Sequence, residues 1–184
     1  MSRIALPMPE SAPEASRPIL KSVEAKLGIV PNLFKLAALS PAALTGLTGL
    51  GNALATTLDA KTRERIALAV AQVNGCHYCL SAHTYLGLNV AHISEEEIAL
   101  NRKGGSADPK AAAAVRFAAK VARDRGHVAD GDVAVLRNAG FADSQIVEIV
   151  AVVAENFLTN FLNNVAGTEI DFPVVSLELA EKAA

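Results

Sequence analysis

Tryptophan is absent, and only 4% of the 184 residues are aromatic. Strand-rich sandwiches draw on aromatic and β-branched residues for their half-buried faces, so this scarcity argues against them. Two cysteines are too few for a disulfide framework. Neither sign of charge is in large excess: 17 Lys and Arg stand against 19 Asp and Glu, a formal net charge of −2. No general attraction to phosphate backbones follows, so nucleic-acid binding is not expected. No uncharged apolar run reaches the roughly 18 residues of a membrane span. The first 17 residues also lack the apolar stretch of a secretory signal. The expectation is a cytoplasmic protein with no membrane and no nucleic-acid partner.

What the chain does have is a 51% hydrophobic fraction, much of it Ala, Leu and Val in runs such as residues 66–73 and 111–114. Small and straight apolar side chains favour close-packed helices. Start and stop signals divide the chain accordingly. Residues 19–27 form a helix closed by Gly28, and Pro31-Asn32 opens a short one through Ala38. Ser40 caps and Pro41 begins a helix to about Thr57, and Asp59 caps another over residues 60–73. Asn74-Gly75 breaks that helix, and the next carries Cys76 to about Leu86. Ser94 with Glu97 reads as a capping box for a short helix ending before Gly104-Gly105. Asp108-Pro109 starts a long helix to Arg125, residues 130–138 form a short one stopped by Gly140, and the last runs over 143–165.

Nowhere does alternation of period two persist, so the fold class is all-α. The organisation expected is an arm over residues 1–17, a helical domain over 18–170 and a C-terminal tail over 171–184. A faint internal repeat lays residues 66–76 over 147–157, with Cys76, Cys79 and His83 falling on Phe157, Asn160 and Asn164.

Chemistry concentrates in Cys76-His77-Tyr78-Cys79. At about 100° per residue, Cys76, Cys79 and His83 share one helix face, and both cysteines fall in the first turn. Unpaired N–H groups and the helix dipole stabilise a thiolate there. His83 can take or relay its proton. On the preceding helix Glu64 lies on a small, apolar stripe with Leu68, Ala71 and Gly75, while Ile66, Val70 and Val73 cover the other side. A carboxylate in such a place needs a partner or a shifted pKa. Arg63 and Arg65 read as solvated charges at the helix edge. A structural zinc site would want four ligands, and only Cys76, Cys79 and His77 or His83 are near in sequence. A disulfide closing so short a loop would constrain almost nothing. The redox reading is therefore preferred. Which sulfur attacks is left open locally: the dipole favours Cys76, whereas His83 stands one turn beyond Cys79.

Glu64, Cys76-x-x-Cys79 and His83, at this spacing, resemble the active-site signature of the alkylhydroperoxidase AhpD family, within the carboxymuconolactone decarboxylase superfamily. Val30-Pro31-Asn32, Ser40-Pro41 and Ala139-Gly140-Phe141 resemble its peroxidase-related branch. The resemblance runs from about residue 17 to 170. It implies an AhpD-like helical bundle assembled as a homo-oligomer, a surplus of Leu, Val and Phe on residues 40–57 and 143–165 pointing the same way. It further implies Cys79 as the peroxidatic cysteine, Cys76 as the resolving one, and Glu64 with His83 as the proton relay. Tyr78 stands where well-studied members carry His.

The function implied is a thiol-dependent peroxidase for organic or hydrogen peroxide, reduced by a dithiol donor such as a lipoyl or thioredoxin-like protein, with no cofactor or metal. Two rivals are a lactone decarboxylase like the superfamily's namesake and a non-catalytic thiol redox sensor.

Overall fold

The computed structural model describes residues 2–179. Its helices are α1 (Arg17–Leu27), α2 (Asn32–Ala37), α3 (Pro41–Leu54), α4 (Ala60–Val73), α5 (His77–Asn89), α6 (Glu95–Arg102), α7 (Pro109–Arg123), α8 (Asp130–Asn138) and α9 (Asp143–Ala166). Among the described residues there is no strand.

The caps are those the side chains dictate. Ser40, Asp59, Ser94 and Asp108 each accept a hydrogen bond from a backbone N–H in the first turn of the helix that follows. The box expected at Ser94 is half made. Glu97 turns its carboxylate away from the cap, to Asn101, Ser106 and the Ala107 N–H, where it holds the loop between α6 and α7. The ends of three helices differ from expectation: α3 stops at Leu54, α5 runs on to Asn89 and α7 stops at Arg123.

The centre of the bundle is α4. Residues 66–71 are all buried, and the helix packs on α7, α5, α9 and α6. A helix apolar all round belongs inside a bundle. The main core joins Ile66 and Val70 of α4 to Phe117 and Val121 of α7, Leu136 of α8, and Ile149 and Val152 of α9. A second cluster surrounds Cys76, Cys79 and Leu80 and is roofed by Ile170, Phe172, Val175 and Leu177.

Both ends of the described chain pack on its own helices. The arm reaches the end of α9, where the Arg3 guanidinium donates to the carbonyls of Asn164 and Val165. A cation there complements the negative end of the helix dipole. Beyond α9 the chain runs back over α5: Val175 N–H donates to Ser81 Oγ, and the amide of Gln72 donates to the Leu177 carbonyl. Residues 180–184 of the expected tail, and Met1 of the arm, lie outside the described residues.

By length and composition α9 could cross a membrane. Its inner face instead lies in the main core. Its outer face leaves Val147, Val150, Ala154, Leu158, Phe161 and Val165 exposed, at steps of three or four residues.

Candidate active site

Three residues, Asn74, Gly75 and Cys76, join α4 to α5. Gly75, at φ +60°, takes the left-handed conformation that ends α4, and the Cys76 N–H closes back on the Ala71 carbonyl at 3.0 Å. Cys76 is extended and is itself the N-cap of α5: its Sγ accepts from the Cys79 N–H at 3.4 Å. Cys76 was expected inside the helix; it precedes it, because the Gly75 turn uses up the first position. Cys79 lies in the first turn. Both thiols are free and buried, at 0% and 2% exposure.

One turn on, His83 Nδ1 meets Glu64 Oε2 at 2.8 Å, across the α4–α5 packing. Pairing through Nδ1 leaves Nε2 as the atom through which the ring can exchange a proton. Burial alone would discharge His83, but the charge and hydrogen bond of Glu64 outweigh it and raise its pKa. Cys79 responds in the opposite sense. The Cys76 thiol as hydrogen-bond partner, the positive charge on His83 and the Asn163 amide bring it down to about 6 against the effect of burial. The same Cys76–Cys79 interaction, with burial, pushes Cys76 up.

The four expected site residues therefore lie together, three of them at a cavity of about 1180 Å³. Cys79, His83 and Glu64 line it; Cys76 lies behind Cys79 and does not. The walls are largely apolar, with Ile19, Leu33, Phe34, Leu86 and Phe172 among them.

Arg63 and Arg65 are not the solvated charges expected. Arg63 donates to the carbonyls of Leu54 and Leu58, tying off the end of α3, and Arg65 pairs with Glu97 at 3.1 Å. Each has a partner brought by another segment, which local spacing cannot reveal.

Sequence reasoning also missed what α9 contributes. Asn163 Nδ2 donates to Cys79 Sγ at 3.2 Å. Glu155 lines the cavity, where burial raises its pKa despite the nearby charges of His83 and Arg63. Gly51 of α3 makes room for it: a methyl at position 51 would lie 2.6 Å from Glu155 Oε1. Tyr78, read only as a departure from the signature, is buried; its hydroxyl donates to Asp171 Oδ1 at 2.8 Å and accepts from the Leu33 N–H at 3.1 Å. The one signal pointing to α9 was the faint repeat, which set Asn160 against Cys79. Among the described residues, no group of three or more His, Cys, Asp or Glu is placed to hold a metal ion.

The carboxymuconolactone decarboxylase family model matches residues 41–124, from α3 through α7, and so includes Glu64, Cys76, Cys79 and His83. The chain is similar, over these residues and in its whole fold, to AhpD-like proteins of the carboxymuconolactone decarboxylase superfamily. An uncharacterized peroxidase-related protein from Ralstonia eutropha JMP134, described as an alkylhydroperoxidase AhpD core, is 28% identical over 92% of both chains, with a TM-score of 0.75. A second uncharacterized peroxidase-related protein, from Silicibacter sp. TM1040, is also 28% identical, over 91% of both chains, with a TM-score of 0.79. The debrominase Bmp8, in a complex with 2,3,4-tribromopyrrole, shares the AhpD-like fold at 18% identity, covering 93% of this chain and 94% of its own, with a TM-score of 0.77. No curated protein matches the sequence significantly. The α9 residues that reach the site lie outside the span of the superfamily model.

Proposed function

We propose that this protein is a thiol-dependent peroxidase that reduces hydroperoxides at Cys79, with Cys76 as the resolving thiol and Glu64–His83 as the proton relay. One observation carries the reading: only Cys79 reaches the cavity, and its sulfur is the one held toward the thiolate. The largely apolar walls suit an organic hydroperoxide better than a small polar one.

In the first step the Cys79 thiolate attacks a peroxide oxygen. The S–O bond forms and the O–O bond breaks, and the leaving alkoxide takes a proton from the His83 imidazolium. Cys79 becomes a sulfenic acid, oxidised by two electrons, and the hydroperoxide becomes an alcohol. The Cys76 thiol then displaces water from that sulfur and forms the disulfide. An external dithiol, of lipoyl or thioredoxin type, exchanges with the disulfide and returns both thiols. A reducing compartment such as the cytoplasm supplies that donor.

A dithiol-coupled assay with cumene hydroperoxide tests the turnover, and trapping with a dimedone-type probe tests the roles. Cys76→Ser should reduce one equivalent of peroxide and stall as a trappable sulfenic acid. Cys79→Ser should consume none and trap no probe. Sulfenic acid at Cys76 in the Cys79→Ser protein would reverse the assignment. Disulfide exchange without peroxide reduction would make the chain a thiol oxidoreductase, and lactone decarboxylation that survives thiol alkylation would favour the namesake chemistry.

A further inference from the structure

The inner face of α9 changes character toward its end. Ile149, Val152 and Val153 are apolar, and then Asn156, Thr159, Asn160 and Asn163 follow, all buried. Asn156 and Thr159 satisfy themselves along their own helix, on the carbonyls of Val152 and Asn156. Asn160 and Asn163 do not. Asn160 Oδ1 accepts from Asn74 Nδ2 at 2.9 Å, which fixes the amide and turns its Nδ2 the other way. That Nδ2 is buried and makes no hydrogen bond of normal geometry with any described residue. It nevertheless lies close enough to Cys79 to lower the affinity of the sulfur for its proton. Asn163 presents its Nδ2 to the same sulfur at 3.2 Å, while its Oδ1 goes without a partner.

Two buried amides converging on a neutral thiol are poorly matched, because sulfur is a weak acceptor. Converging on an anion, they are well matched, since hydrogen bonds to charged groups are the stronger ones. We propose that Asn160 and Asn163 are the anion-holding donors of the site, catalytic residues that stabilise the Cys79 thiolate and then the sulfenate formed on the same sulfur.

This rests on the reading of Cys79 as the reacting thiol and extends it to a helix that the superfamily model does not span. The amides hold charge without accepting it. Glu64 and His83 move the proton, and the peroxide oxygen supplies the oxidant. With donors fixed in place beforehand, little reorganisation is needed when the charge appears. A proton returned through His83 to the sulfenate oxygen, with that of the Cys76 thiol, then lets this oxygen leave both amides as water while the two sulfurs join.

The test is the pH dependence of iodoacetamide alkylation of the reduced full-length protein, with the modified cysteine assigned by mass spectrometry. The parent should show a Cys79 midpoint near 6. Asn163→Ala and Asn160→Ala should each raise it by about one unit, which slows alkylation about tenfold at a pH below both midpoints. Asn163→Asp preserves the shape but replaces the donor by an acceptor, so it should raise the midpoint further and guards against a variant that folds poorly. A midpoint unmoved in Asn163→Asp, whatever happens to its melting temperature, makes these amides packing residues and overturns the proposal. A parent midpoint near 9 overturns both this proposal and the peroxidatic reading of Cys79. Shifted midpoints in a protein that consumes no peroxide uphold the donor pair and refute the peroxidase.

Discussion

Cys76 and Cys79 share a hydrogen bond but not a surface: the Cys79 N–H donates to Cys76 Sγ at 3.4 Å, and only Cys79 opens onto the cavity. In the proposed cycle chemistry therefore begins on Cys79, at the cavity, and is completed by Cys76. Of the two arguments that conflict along the helix, dipole against histidine, the cavity lining supports the histidine. The N-cap position occupies the Cys76 sulfur with a backbone N–H, and the first turn hands Cys79 to the cavity.

Glu64→Gln keeps the shape of the relay and removes its charge. Without the carboxylate the imidazole loses the main influence holding its pKa up, and Cys79 loses a cationic neighbour. The alkylation midpoint of Cys79 should rise by about one unit. The stability effect has a definite sign. A histidine whose folded pKa exceeds its unfolded value of 6.5 adds stability that is full below that pH and fades as pH rises through the folded value. The gap in melting temperature between parent and variant should therefore be widest in mildly acidic solution and narrow above neutrality. A variant that alkylates like the parent while melting far lower would make Glu64 structural.

Gly51→Ala tests the carboxylate that faces the relay from the far side. A helical glycine replaced by alanine normally gains about 1 kcal/mol. Here the new methyl would meet Glu155 Oε1 at 2.6 Å, and the flexible end of the side chain must swing out. The variant should melt no lower than the parent. Because Glu155 helps to raise His83, the Cys79 midpoint should move up by a fraction of a pK unit, in the same direction as in Glu155→Gln. Opposite shifts in the two variants would separate Gly51 from Glu155.

Tyr78→Phe removes both hydrogen bonds of the buried hydroxyl and leaves Asp171 with the Asn32 N–H at 2.7 Å. The loss should be about 1–3 kcal/mol in urea melts. Hydrogen exchange should quicken over residues 169–177, which cross α5, and leave α7 and α8 unchanged. Uniform quickening across the chain would mean that Tyr78 supports the whole core rather than this segment.

Much of this was legible in the sequence, and the reason is local. Caps at Ser40, Asp59 and Asp108, and breaks at Gly28, Gly75 and Gly140, act within one turn, so the helices could be read nearly to their ends. The Glu64–His83 contact beside Cys79 was legible because Cys79 and His83 stand one turn apart and Glu64 had no apolar reason for its stripe. What long-range packing decides was not legible. Asn163 meets Cys79 across 84 positions and Tyr78 meets Asp171 across 93. No periodicity encodes which buried asparagine will face a sulfur, or that Arg63 and Arg65 will be taken up by Leu54, Leu58 and Glu97.

The exposed stripe of α9 predicts assembly. Val147, Val150, Leu158, Phe161 and Val165 stand at the spacing of a helix–helix seam with no described segment of the chain covering them. A second copy of this chain is the partner expected. Light scattering at micromolar concentration should give an oligomer, and Leu158→Glu with Phe161→Glu should convert it to monomer without lowering helicity. A parent that is monomeric at that concentration would refute it.

The course of the chain gives the thiol a timetable. Cys79 leaves the ribosome long before Asn160, Asn163 and the segment around Asp171 and Phe172 exist. Until α9 docks, Cys79 lacks the donors of Asn163 and Asn160, and an unfolded chain carries an ordinary cysteine. On the proposed reading the α9 amides add the last share of the thiol's reactivity to what Cys76 and His83 supply, so full sensitivity marks a molecule whose folding is complete.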